Sequence, residues 1–386
     1  MMSAILSAEA FAMSKTFDVL IVGAGIVGAA CARELAEAGM AVGIVERETV
    51  GSGATAAGMG HIVAMDDSPA QLRLTRYSQL LWDALIQEAP QAHEYTRSGT
   101  IWVATDEEEM RAVHAKHALF SAQAIPSEVL GINQLYAQEP RLRPGLAGGL
   151  LVPGDGVVYP PRSAASLLKS AERQGARLLT GTVTRLHKEG VELVDGQIIT
   201  GGAVVIANGA CATDLLPELP VRPKKGHLVI TERYPGFVHH QLVAMDYVKN
   251  AHATSGDSVA FNVQPRGTGQ ILIGSSRQFD APNHDIDHTI LSKMLASALA
   301  YLPGLDQLKC IRCWTGLRAA TPDGLPLIGP HPSQPGLWLA TGHEGLGITT
   351  APATAHLLAA QLLGRQPALP FEPYLPTRTF QGATHE

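Results

Sequence analysis

Residues 17–46 constrain this chain more than any other segment. Phe17-Asp18-Val19-Leu20-Ile21-Val22 is a short run of branched apolar residues. It reads as a strand buried on both faces. Gly23-Ala24-Gly25-Ile26-Val27-Gly28 follows at once, and 29–38 supplies good helix formers closed by Gly39. A second strand, 40–45, then ends in Glu46. This is GxGxxG between a strand and a helix, the setting in which the pattern has a mechanism. Gly23 permits the tight turn, Gly25 lets backbone approach a pyrophosphate, and Gly28 lets helix and strand touch. Free N–H groups and the positive end of the helix dipole face the phosphates. Glu46, 18 residues after Gly28, stands near the distance expected for an acid on ribose hydroxyls. A carboxylate there disfavours a 2′-phosphate, so NADP is not expected. The unit leaves NAD and FAD open.

Composition removes other classes. The 386 residues are 46% hydrophobic and 17% charged, which excludes a disordered chain. Average usage of about 7% Gly would give about 27 glycines, and this chain has 39. They show no period of three, so the surplus is not collagen-like. The net charge is −6 and no basic run exceeds Lys224-Lys225, so no nucleic-acid surface is expected. Four cysteines are no disulfide framework and suit a cytoplasmic protein. No stretch is apolar for long enough to span a membrane. Residues 1–12 carry no Lys or Arg ahead of their apolar residues, unlike a signal peptide. Met13 stands as an alternative start.

After Glu46 and Arg47 comes a small-residue loop, 51–61, holding Ala54, Thr55, Ala57, Gly58, Met59 and His61. NAD-binding units normally continue with a helix here. A loop this small lets backbone lie against something flat and large. Further on, 161–174 reads as a helix, 177–179, 182–186 and 191–194 as strands, and Gly196-Gln197 as a hairpin turn. Residues 203–207 form another buried strand ending in Asn208-Gly209. Residues 222–310 alternate like antiparallel strands, with one helix near 287–301. Glycines return in 314–329 and 341–352, the latter opening a helix whose free amides can hold a polar acceptor. The expected fold is α/β, a Rossmann-like FAD/NAD(P)-binding lobe carrying an inserted antiparallel-sheet substrate lobe. The first lobe would comprise 15–95, 150–221 and 311–386, the second 96–149 and 222–310, with 1–14 an extension.

Together these segments resemble the FAD-dependent amino acid oxidase/dehydrogenase family that includes glycine oxidase, sarcosine oxidase and D-amino acid dehydrogenase. The likeness runs from Phe17 to about Leu363 through Ala57-Gly58-Met59, Asp155-Gly156, Asn208-Gly209, Gly316-Leu317-Arg318 with Pro322-Asp323-Gly324, and Gly342-His343. Within the family, 55–61, 65–68, 74–82 and 342–349 are most similar to beta subunits of bacterial D-hydroxyproline dehydrogenases. Opine oxidase and hydrogen cyanide synthase subunits share much of the last segment. The resemblance implies noncovalent FAD. Gly23, Gly25, Ile26, Val27 and Gly28 would meet its pyrophosphate, Glu46 and Arg47 its adenosine end, and Val183 its adenine side. Ala54 to Met59 would lie along the ribityl chain and ring, with Asn208, Gly209 and Gly316 also in contact. Gly345, Leu346, Gly347, Ile348 and Thr349 would meet the pyrimidine edge. Arg318 matches the position that grips the substrate carboxylate, and a planar guanidinium suits both its oxygens. The implied reaction moves hydride from an amino or imino acid, foremost cis-4-hydroxy-D-proline, to flavin N5. Electrons would pass to a carrier, and alpha and gamma subunits with further redox cofactors are implied partners. The alternatives are a glycine-, sarcosine- or opine-type oxidase using O2, a noncatalytic FAD-binding subunit, and an NAD-dependent reductase reading only the first unit.

Some positions depart from the family pattern. Gly316 stands where some members attach the flavin through cysteine, and Cys313 is out of register. Leu272 replaces the oxygen-activating lysine of sarcosine oxidases. Phe261 replaces a glycine-oxidase tyrosine near the substrate carboxylate, which leaves the second carboxylate ligand unassigned. His61 and His343 are candidates to tune proton release from the amine, or are hydrogen-bonded structural histidines. Glu344 would line the same mouth or be a solvated acid at a helix start. Cys310 and Cys313 fall on opposite faces of a strand, which argues against a redox pair or metal site. The His284–His288 segment reads as an acidic first helical turn, and His239-His240 as a surface pair. No metal ligands are expected, and no iron–sulfur cysteine cluster is present.

Overall fold

The computed structural model describes residues 17–245, 257–279 and 281–380. The 1–14 extension and Met13 lie outside them. Strand β1 (Phe17–Val22), helix α1 (Ile26–Glu37) and strand β2 (Val42–Glu46) form the expected opening unit. A Cβ at Gly28 would sit 1.9 Å from the Gly23 carbonyl oxygen. Only glycine lets α1 lie this close to the turn. Around β1 runs a mainly parallel sheet in the order 327–330, 337–341, 198–206, β1, β2, 177–180, with 183–187 and 190–193 attached as an antiparallel extension. Its central residues Val19, Ile21 and Ile44 are fully buried beneath α1 and its neighbours.

The 51–61 segment is more ordered than a loop. Gly53–Ala57 makes one helical turn, α2, and His61–Ile62 pairs with Gly156–Val157. Small residues let this turn nest between the lobes, which the composition alone did not distinguish from extended backbone.

The second sheet has eight strands, mostly antiparallel, and contains β3 (Arg222–Arg233), β4 (Gln270–Arg277) and β5 (Cys310–Ala320). β3 lies between β5 and β4 and pairs with both. Gly148–Val152 and β5 hydrogen-bond within this sheet, so the boundaries expected at 150 and 311 each cut a strand of it. His288–Tyr301 covers this sheet with Met294 and Ala298, and Asp287 caps it by accepting from Thr289 and Ile290 N–H. The acid before this helix is thus its cap.

Helix α3 (Gly347–Leu362) returns to the first sheet and contains Pro352. Proline has no N–H, so the Ile348 carbonyl lacks its helical donor. Trp82 Nε1 donates to the Ile348 and Thr349 carbonyls at 3.1 and 3.0 Å, and Ala353 N–H donates to Ser78 Oγ. The helix Pro69–Glu88, capped by Ser68, therefore fixes where α3 begins. His239 is exposed, but His240 is largely covered and meets the buried Glu139 at 2.8 Å. The expected surface pair is half interior, because Glu139 needed hydrogen-bond donors there. No helix among the described residues is long and apolar enough to cross a membrane.

Candidate active site

One cavity of about 530 Å³ runs between the two sheets. On the first-sheet side it is lined by Gly23, Gly25, Ile26, Val27, Glu46, Arg47, Val183, Asn208 and Gly209. No side chain caps α1 at Gly25, so the first turn keeps its donors for a ligand. Thr55 Oγ1 accepts only the Ile26 N–H, at 3.0 Å. Glu46 accepts from Ala24 N–H at 2.7 Å and from Glu48 N–H at 2.9 Å. It both shapes the turn and faces the cavity. Asn208 Oδ1 is buried there without a hydrogen-bond partner among the described residues.

The middle wall is α2 with Ala54, Thr55, Ala57, Gly58 and Met59. A Cβ at Gly316 would stand 2.4 Å from the Ala57 Cβ, and one at Gly58 would stand 2.6 Å from Ile348 Cδ1. β5, α2 and α3 converge so tightly that side chains are excluded. Such a long slot, with backbone walls and an uncapped helix at one end, fits an extended dinucleotide with a flat ring. The pattern of the FAD dependent oxidoreductase family matches residues 18–361. The chain belongs to this family. FAD is its cofactor, and the glycine walls and the Asn208 orphan fit that group.

The chain is 32% identical to glycine oxidase of Pseudomonas aeruginosa over 93% of its own length and 98% of that protein's. It is 27% identical to a hydrogen cyanide synthase subunit of the same organism, covering 95% and 97%. The solved glycine oxidase of Geobacillus kaustophilus superposes with a TM-score of 0.84 at 29% identity, covering 94% and 99%.

Most residues expected near the flavin line this cavity, including Gly345, Gly347 and Ile348. Four do not. Ala56 is exposed. Gly28 packs the helix instead. Leu346 lines a smaller adjoining chamber, and the Thr349 hydroxyl donates to the His61 carbonyl at 2.8 Å. Cys313 does not line the cavity, whereas Gly316 does.

At the second-sheet end, Arg318 Nη1 donates to the Ser276 carbonyl at 3.0 Å. To do so its guanidinium crosses β3 at Gly226, where a Cβ would lie 2.4 Å from Nη1. Glu344 faces it with φ +49°. Its Oε1 lies 3.2 Å from Lys224 Nζ, and its Oε2 accepts from the Gly345 N–H. Burial pushes this carboxyl up, but Arg318, Arg277 and Lys224 outweigh it and hold the pKa at about 2. Glu344 is therefore an ionised, partly buried carboxylate held among cations, not a freely solvated helix-start acid.

The two histidines differ. His343 Nε2 meets Thr354 Oγ1 at 2.9 Å, and burial lowers its pKa to about 3. Burial also lowers His61 to about 4, with Gln264 opposing and Arg266 adding to the effect. Both are neutral at pH 7, so neither titrates near neutrality as expected from histidine in water. His61 Nε2 is buried without a partner among the described residues, and His61 lines both cavities.

The smaller chamber, about 70 Å³, is also bordered by Trp102, Val243, Asn262, Arg277 and Asp155. Burial raises the Asp155 pKa to about 7, against donors from Thr100, Ala64 and Gln79. Phe261 lies away from both cavities, 1% exposed and stacked on Tyr301 with centroids 4.2 Å apart. Its neighbour Asn262 lines both. Leu272 is buried against Met59 and Leu228. Cys310 and Cys313 are both free. No group of three or more metal-ligating side chains occurs among the described residues.

Sequence reasoning missed Gly226, Asn262 and Arg277. Gly226 carried a faint signal, a lone glycine inside a strand pattern. Arg277 carried a misleading one. Leu272 and Gly274 both face Met59, and strict alternation would send 277 the opposite way. Ser275 and Arg277 nonetheless line the cavity, next to the point where the register against 258–265 shifts between Val259 and Asn262.

Proposed function

We propose that this chain oxidises an amino or imino acid at the bond between its nitrogen and Cα, with cis-4-hydroxy-D-proline the foremost substrate. The observation that carries this is Arg318, a guanidinium led over Gly226 into the cavity wall beside Gly316 and Gly345. A carboxylate held there fixes the substrate's Cα relative to the ring wall, so the protein's part is orientation. Bound FAD supplies the hydride acceptor.

The chain's own residues do the rest. Arg318 binds the carboxylate through two N–H donors. Neutral His61 offers Nε2 to accept an N–H of the substrate nitrogen. Glu344, ionised throughout the physiological range, holds the cationic cluster in place. The smaller chamber gives room beyond that needed by glycine, which supports a ring or side chain on the substrate. Leu272 in place of a lysine supports transfer of electrons to a carrier. The similarity to a hydrogen cyanide synthase subunit supports partner subunits that hold it.

A second reading is an oxidase that passes electrons to O2, favoured by the 32% identity to glycine oxidase. One experiment tests both. The FAD-loaded protein is mixed anaerobically with D- and L-amino acids, hydroxyprolines and opines while oxidised-flavin absorbance is followed. The first reading expects rapid bleaching by cis-4-hydroxy-D-proline and slow recovery when oxygen is admitted. Fast recovery favours the oxidase, and no bleaching by any compound overturns both.

A further inference from the structure

We propose that Arg277 is a second guanidinium ligand to the substrate carboxylate, acting beside Arg318. This rests on the amino acid reading above. Three observations carry it.

The first is placement. Arg277 ends β4, is 3% exposed, and lines both the large cavity and the adjoining chamber. It stands where a substrate spanning the two would pass.

The second is convergence. β3 separates β5, which bears Arg318, from β4, which bears Arg277. Arg318 crosses β3 over Gly226 and bonds the carbonyl of Ser276, the residue next to Arg277. The two side chains come from strands that are not neighbours, and a side chain at 226 would displace the Arg318 guanidinium from its path toward Ser276.

The third is a carboxylate already in the site. Arg318, Arg277 and Lys224 all act on Glu344 and together overcome the effect of its burial. The field of both guanidiniums therefore reaches one carboxylate position in this cavity. Glu344 keeps the two cations from driving each other apart, and a substrate carboxylate meets the same pair. Two planar forks at an angle bind three or four lone-pair sites of a carboxylate, where one fork binds two. Arg277 is thus a binding residue that also sets the tilt of the Cα–H bond. It supplies the second carboxylate ligand that Phe261, enclosed in the core, does not provide.

The test uses the FAD-loaded protein and two flat probes, 2-furoate and its uncharged counterpart 2-furamide. Binding is read from the perturbed flavin spectrum. For Arg277→Met we expect the Kd for 2-furoate to rise about tenfold to a hundredfold. The Kd for 2-furamide should move less than about threefold, a contrast that a merely structural role would not produce. Arg277→Lys, which keeps the charge but loses the fork, should recover part of the 2-furoate affinity and covers the case in which the Met variant loses FAD. Unchanged 2-furoate affinity in either FAD-retaining variant overturns the proposal. So does a parallel loss for both probes. If 2-furoate binds as expected but no amino acid bleaches the flavin, the anion clamp stands and the amino acid reading fails.

Discussion

Arg318 reaches the cavity wall only because residue 226 has no side chain. This makes Gly226→Ala a sharper probe of the site than replacing the arginine itself. Its Cβ would fall 2.4–2.7 Å from three guanidinium atoms, so the guanidinium must leave the Ser276 carbonyl. We expect FAD to remain bound and the KM for an amino acid substrate to rise about tenfold or more, measured by steady-state kinetics with an artificial acceptor. An unchanged KM would show that Arg318 does not need that path. His343 gives a prediction in pH. Its folded pKa, about 3, lies below the value near 6.5 expected unfolded. The neutral ring therefore adds stability fully present above about pH 6.5, and lost as pH falls toward about 3. Thermal melts from pH 7 to pH 5 should show a falling Tm in the wild type and a shallower fall in His343→Asn. Equal slopes would mean that His343 is not buried neutral.

At the scale of elements, the start of α3 decides where Gly345, Gly347 and Ile348 line the cavity. Pro352 removes one helical donor and Trp82 replaces it. Trp82→Phe keeps most of the buried ring but leaves the Ile348 and Thr349 carbonyls without this donor. The expected cost is about 1–3 kcal/mol, read from denaturant midpoints. A second effect is expected at the same place, a weaker hold on FAD, read from fluorescence of released cofactor. A loss of stability with FAD affinity untouched would mean that α3 is not positioned through this contact. The opening unit was legible in the sequence because each of its parts is local. A buried strand, a turn that excludes side chains and a helix start are written within thirty residues. The α2 turn was less legible, since small residues fit both a loop and a helix wedged between lobes. The face of Arg277 was not legible, because alternation along its own strand breaks after Gly274 and its surroundings come from segments distant in sequence.

The whole molecule is a slot between two sheets, and its chemistry depends on what the two bring together. β5 pairs along the second sheet while Gly316 and Arg318 on it face α2 and Glu344 of the first. This is why an expected boundary at 311 divided a strand that serves both lobes. It also explains which site residues the sequence could name. The glycine clusters were visible because each sits in a local strand–turn–helix pattern, and Arg318 because the resemblance marks its position. The ionised state of Glu344 and the neutral states of His61 and His343 were not, because each follows from burial and from cations on other strands.

The proposed work of this slot is to hold an amino or imino acid by its carboxylate while FAD takes the hydride. The decisive experiment is anaerobic mixing of the FAD-loaded protein with cis-4-hydroxy-D-proline, following oxidised-flavin absorbance in the wild type and in Arg318→Met. Complete bleaching at a saturating rate is expected in the wild type. In the variant the apparent Kd should rise about a hundredfold, from loss of a charge-assisted bidentate contact. Bleaching by the variant with wild-type affinity, or none by any amino or imino acid in the wild type, would contradict it.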